Sequence, residues 1–395
     1  MTTLTKKQKN LISFYDICFI ISAIAMGAIL WSHPQDKLTI VSLGTYAIGL
    51  SAMAMYVKHL LTYLNRMSLQ GLFLILLIVV SVLAIFYSHR SLKSDIVSLL
   101  CFLEIPIFML CSSELKSKRP AEVFIWVQYI LSFYYLYLSR TDKAYLFRGY
   151  YGVIELEELT LSYNNPNETS MYLICCLLTL LAAISFYKQI WLKIIFIFNA
   201  AAVFNLIFLT QCRAGIIAAS LAVIGLLLHK FIKVKMWFTR LAMFVPAVMV
   251  VLIYFFNDML IEIKILGESF ESGRKSVFDS LFNNLNSFEF FSGDFANYAF
   301  ENLHNVYISI FATIGIFGTL FYILFFDKMF KTFARKKVQP ESYQKMAYIC
   351  LLILIIYSSV ESALFCSGSA FAMCFISLYT LFALKKEKTN SLSAE

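Results

Sequence analysis

Apolar runs of membrane length follow one another along almost the whole chain. A membrane helix needs about 20 mostly apolar residues. The pattern predicts spans at 11–31, 38–57, 69–88, 95–112, 121–139, 169–187, 193–211, 214–229, 239–256, 305–326, 346–366 and 368–384. These runs lack the two-residue alternation of a barrel strand, and lipid tolerates only helices or closed barrels. The expectation is an all-α, polytopic membrane helix bundle of about 12 transmembrane helices, forming a single integral membrane domain over 1–395. The first run ends at Trp31-Ser32-His33-Pro34, without a small-residue cleavage site, so it reads as a retained span.

Polar positions give the orientation. Basic residues mark every second loop: Lys6, Lys7 and Lys9; Lys58 and Arg66; Lys116, Lys118 and Arg119; Lys188 and Lys193; Lys230 to Arg240; Lys328 to Lys345; and Lys385, Lys386 and Lys388. Cytoplasmic loops carry such an excess, so both termini are expected inside. Two of the opposite loops are long. One runs over 140–168. The other, 257–303, lies between the ninth and tenth spans and is acidic. Long ordered loops are usually functional. Within it, Val277, Phe278, Leu281, Phe282 and Leu285 predict a short amphipathic helix over Ser276–Leu285, lying on the outer leaflet.

Composition agrees. Of 395 residues, 60% are hydrophobic and 14% charged, where soluble domains are nearer a quarter charged. The net charge of +9 follows from the loop bias. No aromatic-basic module for nucleic acid is present, so none is expected as a partner. The nine cysteines lie mostly inside apolar runs and show no metal-ligand spacing. No metal or cofactor is expected.

Chemistry-capable residues are few. His304, in Leu303-His304-Asn305-Val306, stands at the mouth of the tenth span. An imidazole can exchange protons near neutral pH. Asn305 can cap the helix that follows. Arg213 lies between two spans with almost no loop, either snorkelling to headgroups or facing a wet groove that binds an anion. Arg274, in Ser272-Gly273-Arg274, is either an ordinary loop arginine or a second phosphate fork. Asn165-Pro166-Asn167 reads as a turn and helix start that could also hold sugar hydroxyls. Asp16, Glu104 and Glu361 fall within predicted spans, where carboxylates are functional candidates. Glu361 could equally neutralise an arginine. Gly315 and Gly318 form a small face for close helix packing.

Taken in order, these motifs resemble the O-antigen polymerase and O-antigen ligase superfamily of bacterial membrane glycosyltransferases. The residues are Thr210-Gln211-Cys212-Arg213-Ala214, Ser272-Gly273-Arg274, Leu303-His304-Asn305-Val306-Tyr307 and Ile314-Gly315-Ile316-Phe317-Gly318, with Asn165-Pro166-Asn167 before a span. The likeness is closest over 160–326.

The resemblance implies an enzyme of the bacterial plasma membrane with its active site on the extracytoplasmic face. Its substrate is an undecaprenyl-diphosphate-linked glycan. Neither nucleotide sugar nor metal takes part. A polymerase transfers the glycan to another lipid-linked repeat unit, and a ligase transfers it to lipid A-core. His304 is then the expected general base, and Arg213 and Arg274 stabilise the diphosphate. Gln211, Asn165, Asn167, Asn305 and Glu361 are the expected substrate-binding residues. A chain-length regulator in the same membrane is a further implied partner. Phenylalanine- and tyrosine-rich spans and a compact outer loop favour the polymerase. A flippase or secondary transporter is the alternative of another class, though no internal repeat is evident.

Overall fold

The computed structural model describes residues 12–32, 38–63, 68–87, 92–141, 145–150, 154–159, 161, 166–265, 268–269, 274–298, 303–334, 340–361 and 370–383. The helices of the amino-terminal half are α1 (Phe14–Ser32), α2 (Leu38–Tyr63), α3 (Leu69–Tyr87), α4 (Leu92–Cys111) and α5 (Arg119–Thr141). A hairpin of β1 (Tyr145–Tyr150) and β2 (Ile154–Leu159) follows, with Tyr145 opposite Leu159. Next come α6 (Pro166–Phe186), α7 (Ile190–Leu209), α8 (Arg213–Leu228) and α9 (Met236–Phe255). The long loop holds α10 (Asn257–Glu262), the short antiparallel pair β3 (Lys264–Ile265) and β4 (Glu268–Ser269), and α11 (Arg274–Asn284), α12 (Ser287–Ser292) and α13 (Phe295–Tyr298). The last helices are α14 (Val306–Ala334), α15 (Ser342–Tyr357) and α16 (Ala370–Ala383).

The chain is a helical membrane protein. Among the described residues, seven helices are long and apolar enough to cross a membrane: α1, α3, α5, α6, α7, α9 and α14. Most of α6 is buried on every side by α5, α7, α8, α15 and α16. A helix apolar all round belongs at such a centre. By contrast, α9 leaves Leu241, Phe244, Val251 and Phe255 exposed, as a lipid-facing helix does.

Three features differ from the sequence reading. The bundle carries two small hairpins that apolar periodicity did not signal. The amphipathic helix of the long loop is present as α11, but its apolar face packs on protein: Phe278 and Leu281 join Ile253 of α9 and Ile308 and Ala312 of α14.

The third difference is in the tenth span, which is not one continuous helix. Ile314 and Gly315 leave helical geometry, with Gly315 at φ 67°. The break frees the carbonyl of Ala312, which accepts a hydrogen bond from Asp294 N at 2.7 Å. A buried carbonyl must find such a partner. The chain after α12 therefore plugs the break. A Cβ on Gly315 would run into the backbone of Phe291, and one on Gly293 (φ 76°) into that of Thr313 and Ile314. Gly315 thus lets the backbone of α14 meet that of α12, the close helix contact expected of it, whereas a Cβ on Gly318 would meet only the side chain of Ile314 at the break itself.

Candidate active site

Three helices begin at one place. Arg213 opens α8, Arg274 opens α11, and His304 and Asn305 lead into α14. A helix start carries about half a positive charge and presents N–H groups without partners in the helix, which suits an anion. The guanidinium groups of Arg213 and Arg274 are near enough for their like charges to interact. His304 Nδ1 stands 3.5 Å from Glu361 Oε2. That is a charge contact, longer than a well-formed hydrogen bond. Cys212 completes the cluster, since the charges of both Glu361 and Arg274 reach it. Burial pushes its thiol up, so it stays neutral and acts as packing beside the charges.

The local sequence explains how these groups are held. Only Thr210, Gln211 and Cys212 separate α7 from α8. So tight a reversal needs a left-handed residue, and Gln211 supplies it with φ 55°. The Thr210 hydroxyl donates to Ile207 O at 2.7 Å and accepts from Cys212 N at 3.2 Å, which fixes the turn. His304 is the second strained residue, at φ 54°. Outside glycine such geometry costs about 1–3 kcal/mol and tends to occur at functional sites. Behind the turn, α8 passes close to α6 because residue 215 is glycine; a Cβ there would strike Ser170 Oγ.

Asn305 is fully buried and holds His304 in place. Its Oδ1 accepts from Tyr307 N at 2.9 Å and Ile308 N at 3.4 Å, as an N-cap does. Its Nδ2 donates to Pro246 O at 2.9 Å and Ser359 O at 3.1 Å. One amide thus joins the start of α14 to α9 and to the end of α15. Val306 N adds a bond to Ser358 O at 2.9 Å.

Arg213, Arg274, His304 and Glu361 are thus brought together from four separate stretches. Gln211 lies in the adjoining turn and is half-buried. Asn305 is present too, but its amide is engaged within the fold. Asn167 falls in the first turn of α6, half-buried. Asn165 lies outside the described residues. Glu361 requires a correction: it is not inside the eleventh span, because α15 ends at Tyr357 and the carboxylate follows it in a turn. Tyr357 and Ser170, both buried beneath Glu361 and Cys212, were not singled out from sequence; they look like ordinary members of apolar helices.

The side chain of His304 is 34% exposed and that of Glu361 only 5%, so the imidazole meets solvent and the carboxylate stands behind it. Among the described residues, no group of three or more His, Cys, Asp or Glu could hold a metal ion. Comparison of the chain with family models, curated proteins and solved structures returns no match.

Proposed function

We infer that the chain is a membrane glycosyltransferase that extends a lipid-linked glycan, a repeat-unit polymerase of the bacterial plasma membrane. One observation carries this reading: two arginines and a solvent-facing histidine, the latter backed by a buried carboxylate, meet where three helices begin. That combination suits a diphosphate leaving group beside a base.

The acceptor hydroxyl attacks the anomeric carbon of the donor. His304 takes the hydroxyl proton as the new C–O bond forms. The C–O bond to the diphosphate breaks, and the electron pair leaves with the lipid diphosphate. Arg213 and Arg274 stabilise the charge that gathers on it. Glu361 orients the imidazole. A single displacement inverts the anomeric carbon.

The orientation belongs to the same reading. About twelve crossings place both termini in the cytoplasm and the cluster outside. In support, the ends of α7, α9 and α15 and the start of α14 share one end of the bundle. Lys230, Lys235 and Lys345 share the other, where Lys345 Nζ donates to Lys230 O at 2.9 Å.

The broken α14 favours a second reading, transport of a glycolipid, because transporters use interrupted helices at their binding sites. Against it, the break is plugged by backbone and lines no path. Purified protein supplied with undecaprenyl-diphosphate repeat units separates the readings. Longer products that vanish in His304→Ala support the polymerase. Transfer to lipid A-core alone supports a ligase. Movement across a vesicle without extension supports a transporter.

A further inference from the structure

Arg274 places one end of α11 at the cluster, and the rest of the helix leads away from it. Ser276, Ser280 and Asn284 recur every four residues, so they share one face. From Ser276 to Asn284 the stripe runs about 12 Å at about 1.5 Å per residue. It borders two adjoining hollows. The inner one, about 280 Å³, is lined by Ser276, Val277, Ser280, Leu281, Tyr298 and Leu303. The outer one, about 500 Å³, shares Tyr298 and Leu303 and adds Asn284, Glu289, Asp294 and Asn297. Leu303 directly precedes His304 in the chain, so the hollows end one residue short of the proposed base.

Its lining is that of a carbohydrate site. Hydroxyls and amides along one wall can exchange hydrogen bonds with sugar hydroxyls, and Tyr298 offers an aromatic body with a polar tip. Glu289 and Asp294 also shape the loop: Glu289 accepts from Asn286 N at 2.9 Å, and Asp294 from Asn297 Nδ2 at 2.6 Å. These two carboxylates make the outer hollow negative, opposite in sign to the arginine end.

We propose that this groove seats the acceptor glycan, and that it takes neutral or N-acetylated sugars and rejects uronic acids. The proposal rests on the transferase reading for the word acceptor; the sugar selectivity stands on the groove alone. A carboxylate on the glycan would face Glu289 and Asp294 without a cation among the described lining residues, while the diphosphate is held at the other end. Opposite charges at the two ends fix which way a substrate lies.

The test is saturation-transfer NMR on the full chain in nanodiscs, with methyl glucoside, methyl N-acetylglucosaminide and methyl glucuronide as probes. The first two should bind, and the glucuronide should bind about fivefold more weakly. Ser280→Leu, on an exposed helical face, should fill the inner hollow and remove the signals at an unchanged melting temperature. Ser276→Leu serves the same purpose if Ser280→Leu fails to fold. Glu289→Gln with Asp294→Asn should bring the glucuronide to parity. Equal binding of all three probes by the unaltered protein, no binding of any, or full binding by a folded groove-filled variant overturns the proposal. No lipid donor is used here, so the two readings are separated: sugar binding in this test, with no extension in the donor assay, would sink the transferase reading and leave this one standing.

Discussion

Two histidines, one at each end of the bundle, have contrasting surroundings: His229 serves the fold, and His304 is the one proposed for chemistry. His229 caps α8 and is almost wholly buried. One of its nitrogens bonds to Leu226 O and the other to Ser342 Oγ at 2.6 Å, joining α8 to α15. Nearby, Tyr348 donates to Lys235 O at 2.8 Å, and Arg240 pairs with Asp327 at 2.8 Å. The backbone of His229 is relaxed at φ −57°. His304 is strained, a third exposed and backed by a carboxylate at longer range. An imidazole bonded to protein at both nitrogens cannot pass a proton to a substrate, whereas the partly exposed ring of His304 stands where a substrate could meet it.

Experiments on each end test that contrast. The largest effect should come from His304→Ala, which removes the base and should lower kcat by about 10²–10⁴-fold in chain-extension assays. His229→Ala should leave kcat unchanged, and equal losses from both would erase the distinction. Arg274→Ala should cost about 10²–10³-fold in kcat, the range for removing one preplaced donor to developing charge. Gly315→Ala probes the plugged break and should destabilise the chain by at least about 1–3 kcal/mol, read as a lower melting temperature in detergent. Glu361→Gln should lower kcat about tenfold with KM held, because the imidazole loses its orienting partner but not its place. A change confined to KM would instead make Glu361 a substrate contact. His229→Ala itself should cost about 1 kcal/mol of stability, since it removes the bond that joins α8 to the start of α15.

Helix identity was plain in the sequence wherever a run was long and apolar, as in α6, α7 and α9. The cluster was legible through its motifs: arginine, arginine and histidine each mark a helix start, where polar residues interrupt an apolar pattern. Other features left no such mark. The break at Ile314–Gly315 is invisible because both neighbours are apolar, and one glycine inside a span reads as packing. What decides it is Gly293, about twenty residues upstream, whose backbone must fit against Thr313. Glu361 was placed one turn too deep because Ser358 and Ser359 do not stop an apolar run; the helix ends there through bonds to Val306 N and Asn305 Nδ2, which lie far away in sequence. The seat of α11 on α9 was likewise hidden, because an amphipathic face shows that something covers it without saying whether lipid or protein does.

The break in α14 also bears on biosynthesis. Its downstream half, 316–334, reaches about 28 Å at about 1.5 Å per residue. The short upstream half is tied at its start to Ser358 and Ser359, which leave the ribosome some fifty residues later. His304 therefore acquires its final setting only after α15 has been delivered to the bilayer. A nascent chain halted before that point carries every residue of the arginine pair and the imidazole, yet lacks the bonds that fix how they meet.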